Sequence, residues 1–95
     1  MIITKGVAVG EVVTMKLASG EELIAKLTEI NDKSYKLSRP LTLVASSKGL
    51  VLQPWLLTVD PDRTITIDKD KVVVIEPTIP EMSKQYIGGT SGIVV

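Results

Sequence analysis

The chain has no cysteine, no histidine and no phenylalanine, and its only aromatics are Trp55, Tyr35 and Tyr86. Without cysteine there are no disulfides and no thiolate metal sites, a composition compatible with a reducing compartment. Without histidine the commonest general base and metal ligand is missing, and the serines sit in turn-like stretches with no base placed to activate them. An excess of one charge is absent as well: 11 basic and 11 acidic side chains cancel. The strong Lys and Arg surplus of a general nucleic-acid binder is therefore missing, and any nucleic acid would have to be held at a local patch. No apolar run reaches membrane-spanning length, and the opening "MIITKGVAVGE" has neither a long apolar core nor a small-residue cleavage site. These absences predict a binding or structural module with no cofactor, no membrane contact and a cytoplasmic location, rather than an enzyme.

What remains is Val, Ile and Leu. Apolar residues make up 44% of 95 residues, enough for one small domain, and they are the β-branched and aliphatic types that favour strands. Runs such as "LTLVA" (Leu41 to Ala45), "WLLTV" (Trp55 to Val59) and "VVVIEP" (Val72 to Pro77) leave few polar positions for solvent. A surplus of this kind is often buried against another subunit.

Alternation then orders the chain. Val7 to Val9, between Gly6 and Gly10, reads as an extended lead-in or a short first strand. Val13, Met15 and Leu17, then Leu23, Ala25 and Leu27, alternate on either side of "ASGE", predicting a hairpin with Gly20 at a turn position that disfavours a side chain. "NDKS" (Asn31 to Ser34) is a second turn. A third strand from Tyr35 to Ala45 is interrupted by Pro40, and a fourth, "LVLQPWLLTV", bends at Pro54. "DPDR" (Asp60 to Arg63) suits a type I turn, and "TITI" and "VVVI" flank the charged turn Asp68 to Lys71. Thr78 as a cap, Pro80, Glu81 and Gly88 mark the start and stop of a short helix over Pro80 to Ile87. The tail "GTSGIVV" is left either loose or docked as a strand on a neighbour. Turn residues roughly every ten positions are the all-β signature.

The frame Val13, Met15, Leu17, Gly20, Leu23, Ala25, Leu27 and Ile30, followed by a short polar turn, resembles the first motif of the Sm-like superfamily of Sm, LSm and Hfq proteins. "IDKDKVVVI" (Ile67 to Ile75) is similar in length and apolar frame to the second motif, and the two stand in the family's order. The resemblance implies a small, strongly bent, five-stranded antiparallel barrel over residues 11–77, with the short helix and tail over 78–95. The long region from Leu50 to Ile67 could supply an added strand. It also implies a cyclic homo-oligomer of about five to seven subunits. The polar positions differ from the family's. Asn31 stands where the family has its RNA-contacting Asp, Asp68 where it has Arg, Lys69 where it has Gly and Asp70 where it has Asn. The reversal at Asp68 would repel phosphate where the family attracts it. "LQPW" and "QYIGGTSGI" resemble segments of small proteins of tailed cyanobacterial phages, which would place the protein in the host cytoplasm.

Two sets of candidate residues follow. For single-stranded RNA they are Asn31, Lys33, Ser34, Tyr35, Lys36 and Lys69, with Tyr35 as a base-stacking ring. The plainer account makes Tyr35 a rim or core side chain and Lys33, Lys36 and Arg39 a solvated strand face. For subunit contact they are Leu52, Trp55 and Leu57 on one side and Val72, Val73, Val74 and Ile75 on the other, because four apolar residues in a row predict a strand covered on both faces. Asp60, Asp62, Asp68 and Asp70 do not have calcium-loop spacing and read as solvated turn carboxylates. Expected partners are further copies of the chain, with RNA or an unidentified protein as the ligand of the assembly.

Overall fold

A computed structural model describes residues 6–47 and 49–90. Its elements are β1 (Val12–Leu17), β2 (Glu22–Ile30), β3 (Ser34–Ser46), β4 (Gly49–Pro54), β5 (Thr64–Asp68), a 3-10 turn (Lys69–Lys71), β6 (Val72–Pro77) and α1 (Pro80–Thr90). All pairings are antiparallel, the strand order is β4-β3-β2-β1-β6, and β5 lies beside β3. The protein is thus mostly β with one short C-terminal helix, as expected. The sheet has six strands rather than five and is not closed into a barrel.

The first hairpin folds as its alternation predicts. Val13 faces Ala25 and Met15 faces Leu23 across the ladder. Gly20 donates its N–H to the Leu17 carbonyl at 2.8 Å, and Leu17 donates to Glu21 at 2.9 Å. This is a three-residue connection ending in a left-handed position, and Gly20 occupies it with φ +100°. The inward row Val13, Met15, Leu17, Leu23, Ala25 and Leu27 joins Leu37 and Ile67 in the core, with Val7, Tyr35, Trp55, Val72 and Ile75 packed around it.

β3 does not stop at Pro40. Ile24 pairs with Leu41 and Lys26 with Ser38, so Ala25 alone opposes both Arg39 and Pro40. This is a β-bulge, with Arg39 at φ +49° and Pro40 unable to donate to the ladder. The bulge bends β3 into two halves. Residues 34–38 take β5 as a neighbour and residues 41–46 take β4. The fourth strand is therefore shortened to β4, "TITI" forms β5 as the added strand, and residues 55–63 leave the sheet between them. The expected strand through Val59 ends at Pro54 instead: the Trp55 N–H still reaches the Pro40 carbonyl at 3.0 Å, in register with the ladder, but Pro40 has no N–H to return the bond.

Other boundaries also moved. Residues 6–11 form no strand, although Val7 packs against the core. α1 runs past Ile87, so Gly88 lies inside it, and the Thr78 hydroxyl shares a hydrogen bond of 2.8 Å with Thr14 rather than marking a cap. Of the tail, residues 91–95 lie outside the described residues.

Tyr86 anchors α1 to the bulge. Its side chain is 3% exposed, and its hydroxyl donates to the Ser38 carbonyl at 2.7 Å, lies 3.1 Å from the Arg39 carbonyl, and accepts the Lys26 N–H at 3.1 Å. A bulge interrupts the ladder, and here one phenol serves three backbone groups beside it.

Candidate functional site

The turn Asn31 to Ser34 is closed by its own polar groups. The Asn31 N–H donates to the Ser34 carbonyl at 2.9 Å and its side-chain amide to the Ser34 hydroxyl at 3.4 Å. The second loop reaches it because β5 pairs with the start of β3, placing Asp68 beside Ser34 and Ile67 beside Tyr35. The Lys69 N–H then donates to the Lys33 carbonyl at 2.9 Å, and the Lys69 ammonium sits 5.1 Å from the centre of the Tyr35 ring.

Five of the six residues expected at an RNA surface (Asn31, Lys33, Ser34, Tyr35 and Lys69) therefore meet on one rim. The sixth does not join them. Lys36 follows Tyr35 along the strand, where alternation turns it to the other face, and its ammonium is 3.9 Å from the Glu29 carboxylate. Tyr35 is both rim and core, half-buried against the apolar cluster with a cation over its ring. The two loops carry Lys33, Lys69 and Lys71 against Asp32, Asp68 and Asp70, so the rim has no net charge. No group of three or more metal-ligating side chains occurs among the described residues. Asp60 accepts the Asp62 N–H at 2.9 Å, and the Asp62 carboxylate takes the Arg39 guanidinium at 2.8 Å, so these two serve the turn.

The subunit-contact candidates divide differently. Val72 and Ile75 lie against the core and Leu52 is half-buried, whereas Leu57 is 78% exposed, Val73 66% and Val74 46%. Within the chain, the run "VVVI" is covered on one side only. Trp55 is half-buried and crosses the opening between the first hairpin and the 55–63 excursion. Its indole N–H donates to Glu21 at 2.8 Å, and the Ser19 hydroxyl donates to the same carboxylate at 2.6 Å. These bonds, Ser19 first and Trp55 second, hold the Glu21 carboxyl below the usual carboxylate range. Leu17, Ile67 and Lys71 line the space beside this latch.

Two concave regions remain. A cavity of about 180 Å3 lies where the 55–63 excursion leaves the sheet, between Pro40 and Leu41 on β3, Pro54, and Ile65 on β5. A broader groove runs along the outer sheet face beside α1, with Ile24, Leu43, Leu50, Val74, Ile79 and Met82 as its apolar lining. Glu21 and Tyr86 were not among the sequence candidates, and the sequence places Arg39 only in a basic group with Lys33 and Lys36. Only Pro40 hinted at the bulge that involves Arg39 and Tyr86, since the Tyr86 contacts span about half the chain. In comparisons with known proteins, the chain matches no protein-family model and no curated protein sequence.

Proposed function

We propose that the protein is a ring-forming Sm-like module that joins copies head to tail through the two edges of its sheet. The observation that carries this reading is the pair of unfilled edges. β6 has β1 on one side and no strand on the other, and the outer edges of β4 and β5 are likewise without a strand neighbour among the described residues. Apolar side chains stand exposed at both ends, Val73 and Val74 at one and Leu50, Val51 and Leu57 at the other. Open edges bind further strands unless they are blunted or covered, and pairing unlike edges must close as a ring or continue as a filament. Counting β4 and β5 as two halves of one bent strand restores the five positions of the Sm-like pattern, and the 3-10 turn between β5 and β6 falls in its second motif. With closure, the Sm-like resemblance implies a ring of about five to seven copies. Native mass spectrometry should show one stoichiometry in that range; a series of increasing sizes would replace the ring with a filament.

A second reading concerns what the ring holds. The Lys69 and Tyr35 contact, beside Asn31 and Ser34, favours single-stranded RNA, since an aromatic ring with a nearby cation and amide groups can stack and bond an unpaired base. The zero net charge of the loops favours a ring that contacts only protein. A labelled oligonucleotide at low salt separates the two. RNA binding requires a signal that Lys33→Glu with Lys69→Glu abolishes, and no signal for the unmodified protein leaves the structural role.

A further inference from the structure

The cavity at the break between β4 and β5 has no assigned occupant. Pro40, Leu41, Pro54, Leu56 and Ile65 are among its apolar lining, and its charged lining residues are Arg39, Asp60 and Arg63. It lies on the sheet edge, because β4 stops at Pro54, β5 starts at Thr64, and residues 55–63 leave the ladder between them. A strand added along this edge would run about 4.8 Å away and pass over the gap. The volume of about 180 Å3 exceeds the roughly 150 Å3 known to admit a benzene ring in an apolar cavity, so one aliphatic side chain fits.

The opposite edge carries an exposed apolar side chain at a bulge. On β6, Val72 pairs with Leu17 and Val74 with Lys16, so Val73 is an extra residue between two paired ones. A bulge re-aims its side chain, and Val73 is 66% exposed where regular alternation would place it beside the core residues. The only charge on β6 is Glu76, about 10 Å further along the strand at 3.3 Å per residue. In the cavity lining Arg39 is held by Asp62, whereas Arg63 makes no ion pair among the described residues.

We infer that the cavity receives Val73 of the next copy, with that copy's Glu76 carboxylate against the Arg63 guanidinium. This rests on the head-to-tail reading and assigns its contact. The hole and the knob are both departures from a regular sheet, a broken strand on one edge and a bulge on the other. Their match sets which parts of the two edges meet. The single Glu76 and Arg63 pair favours the correct partner edge, which is the usual contribution of charge at an interface.

The test compares the full chain with four variants by light scattering over a dilution series, with circular dichroism as the folding check. Leu56→Trp fills the cavity from its lining. Arg63→Glu and Glu76→Arg each place like charges together, and the double variant restores the pair with its signs exchanged. Expected are an assembled wild type, a dissociation midpoint raised about tenfold or more in Leu56→Trp and in each single charge variant, and recovery in the double. A wild-type monomer would remove the head-to-tail reading and this contact with it. A wild-type ring in which folded Leu56→Trp assembles normally, or in which the double variant is no better than the singles, would leave the ring and overturn the contact. Should Leu56→Trp fail to fold, the charge pair alone decides, because Arg63 and Glu76 are both exposed.

Discussion

Replacing Tyr86 by Phe removes one oxygen and keeps the ring, so it isolates what holds the helix to the sheet. That oxygen is within hydrogen-bond distance of two carbonyls, at 2.7 and 3.1 Å, and one N–H at 3.1 Å, all belonging to residues at or beside the bulge. The phenol bridges the β2–β3 ladder where it is interrupted, since Arg39 and Pro40 together oppose Ala25 alone. A buried polar group left unpaired costs about 1 to 3 kcal/mol, but Ser38 and Arg39 are half-exposed and Lys26 is exposed, so water can replace part of the loss. The expected cost is about 2 kcal/mol. For a domain of this size each kcal/mol moves the melting temperature by about 4 to 8 °C, which gives a fall of roughly 8 to 16 °C. Thermal unfolding at one fixed protomer concentration measures it, since the proposed assembly would make the midpoint concentration-dependent.

The same side chain predicts an alkaline effect. Burial raises the Tyr86 hydroxyl above its ordinary value of 10.0, more than the Lys26 N–H and the Arg39 charge lower it. A group whose folded value is raised gives its stability in full below the unfolded value and loses it as pH rises through the folded one. Wild-type stability should therefore fall above about pH 10 more steeply than that of Tyr86→Phe. A variant that melts within about 2 °C of wild type at neutral pH would refute the anchoring role, because even one lost bond should shift the midpoint further.

Three further outcomes follow. Gly20→Val should cost about 1 kcal/mol or more, read as a lower denaturation midpoint; no atom lies within 4 Å of an added Cβ, so the penalty comes from φ +100° alone. Glu21 is held low by Ser19 and Trp55, so its contribution is present above the unfolded carboxyl value and lost as pH falls through the lowered folded one. Emission from the single tryptophan should report that acid transition in wild type and not in Glu21→Gln, and an identical profile in both would discard the latch. If the rim binds RNA, Tyr35→Ala should weaken it by about 1 to 3 kcal/mol in a fluorescence-anisotropy titration, the usual value of one stacked base.

Local signals were legible and long-range ones were not. Period-two spacing from Val13 to Leu27 with Gly20 at the turn gave the first hairpin residue by residue, since both its pattern and its turn are set by neighbours in sequence. Pro80 and Glu81 located the start of α1 in the same way. "LVLQPWLLTV" misled because composition reads it as one strand. Its end is set from outside the segment, by Pro40 on the neighbouring strand, which has no N–H to continue the ladder, and by Glu21, which takes the Trp55 indole N–H from 34 residues away. The rim was legible where two turns are brought together by strand pairing. Lys36 was misplaced because its neighbourhood in sequence is not its face on the strand. Nothing local to Tyr86 reveals that a helix residue completes a bulge in β3.

In the proposed assembly, unlike edges of this sheet pair between copies and close on themselves. Sedimentation velocity of the full chain at micromolar concentration tests it most directly. One compact species of about five to seven times the 10.3 kDa chain mass is expected, and its loss on Val73→Lys. A single species of 10.3 kDa in the unmodified protein would contradict it.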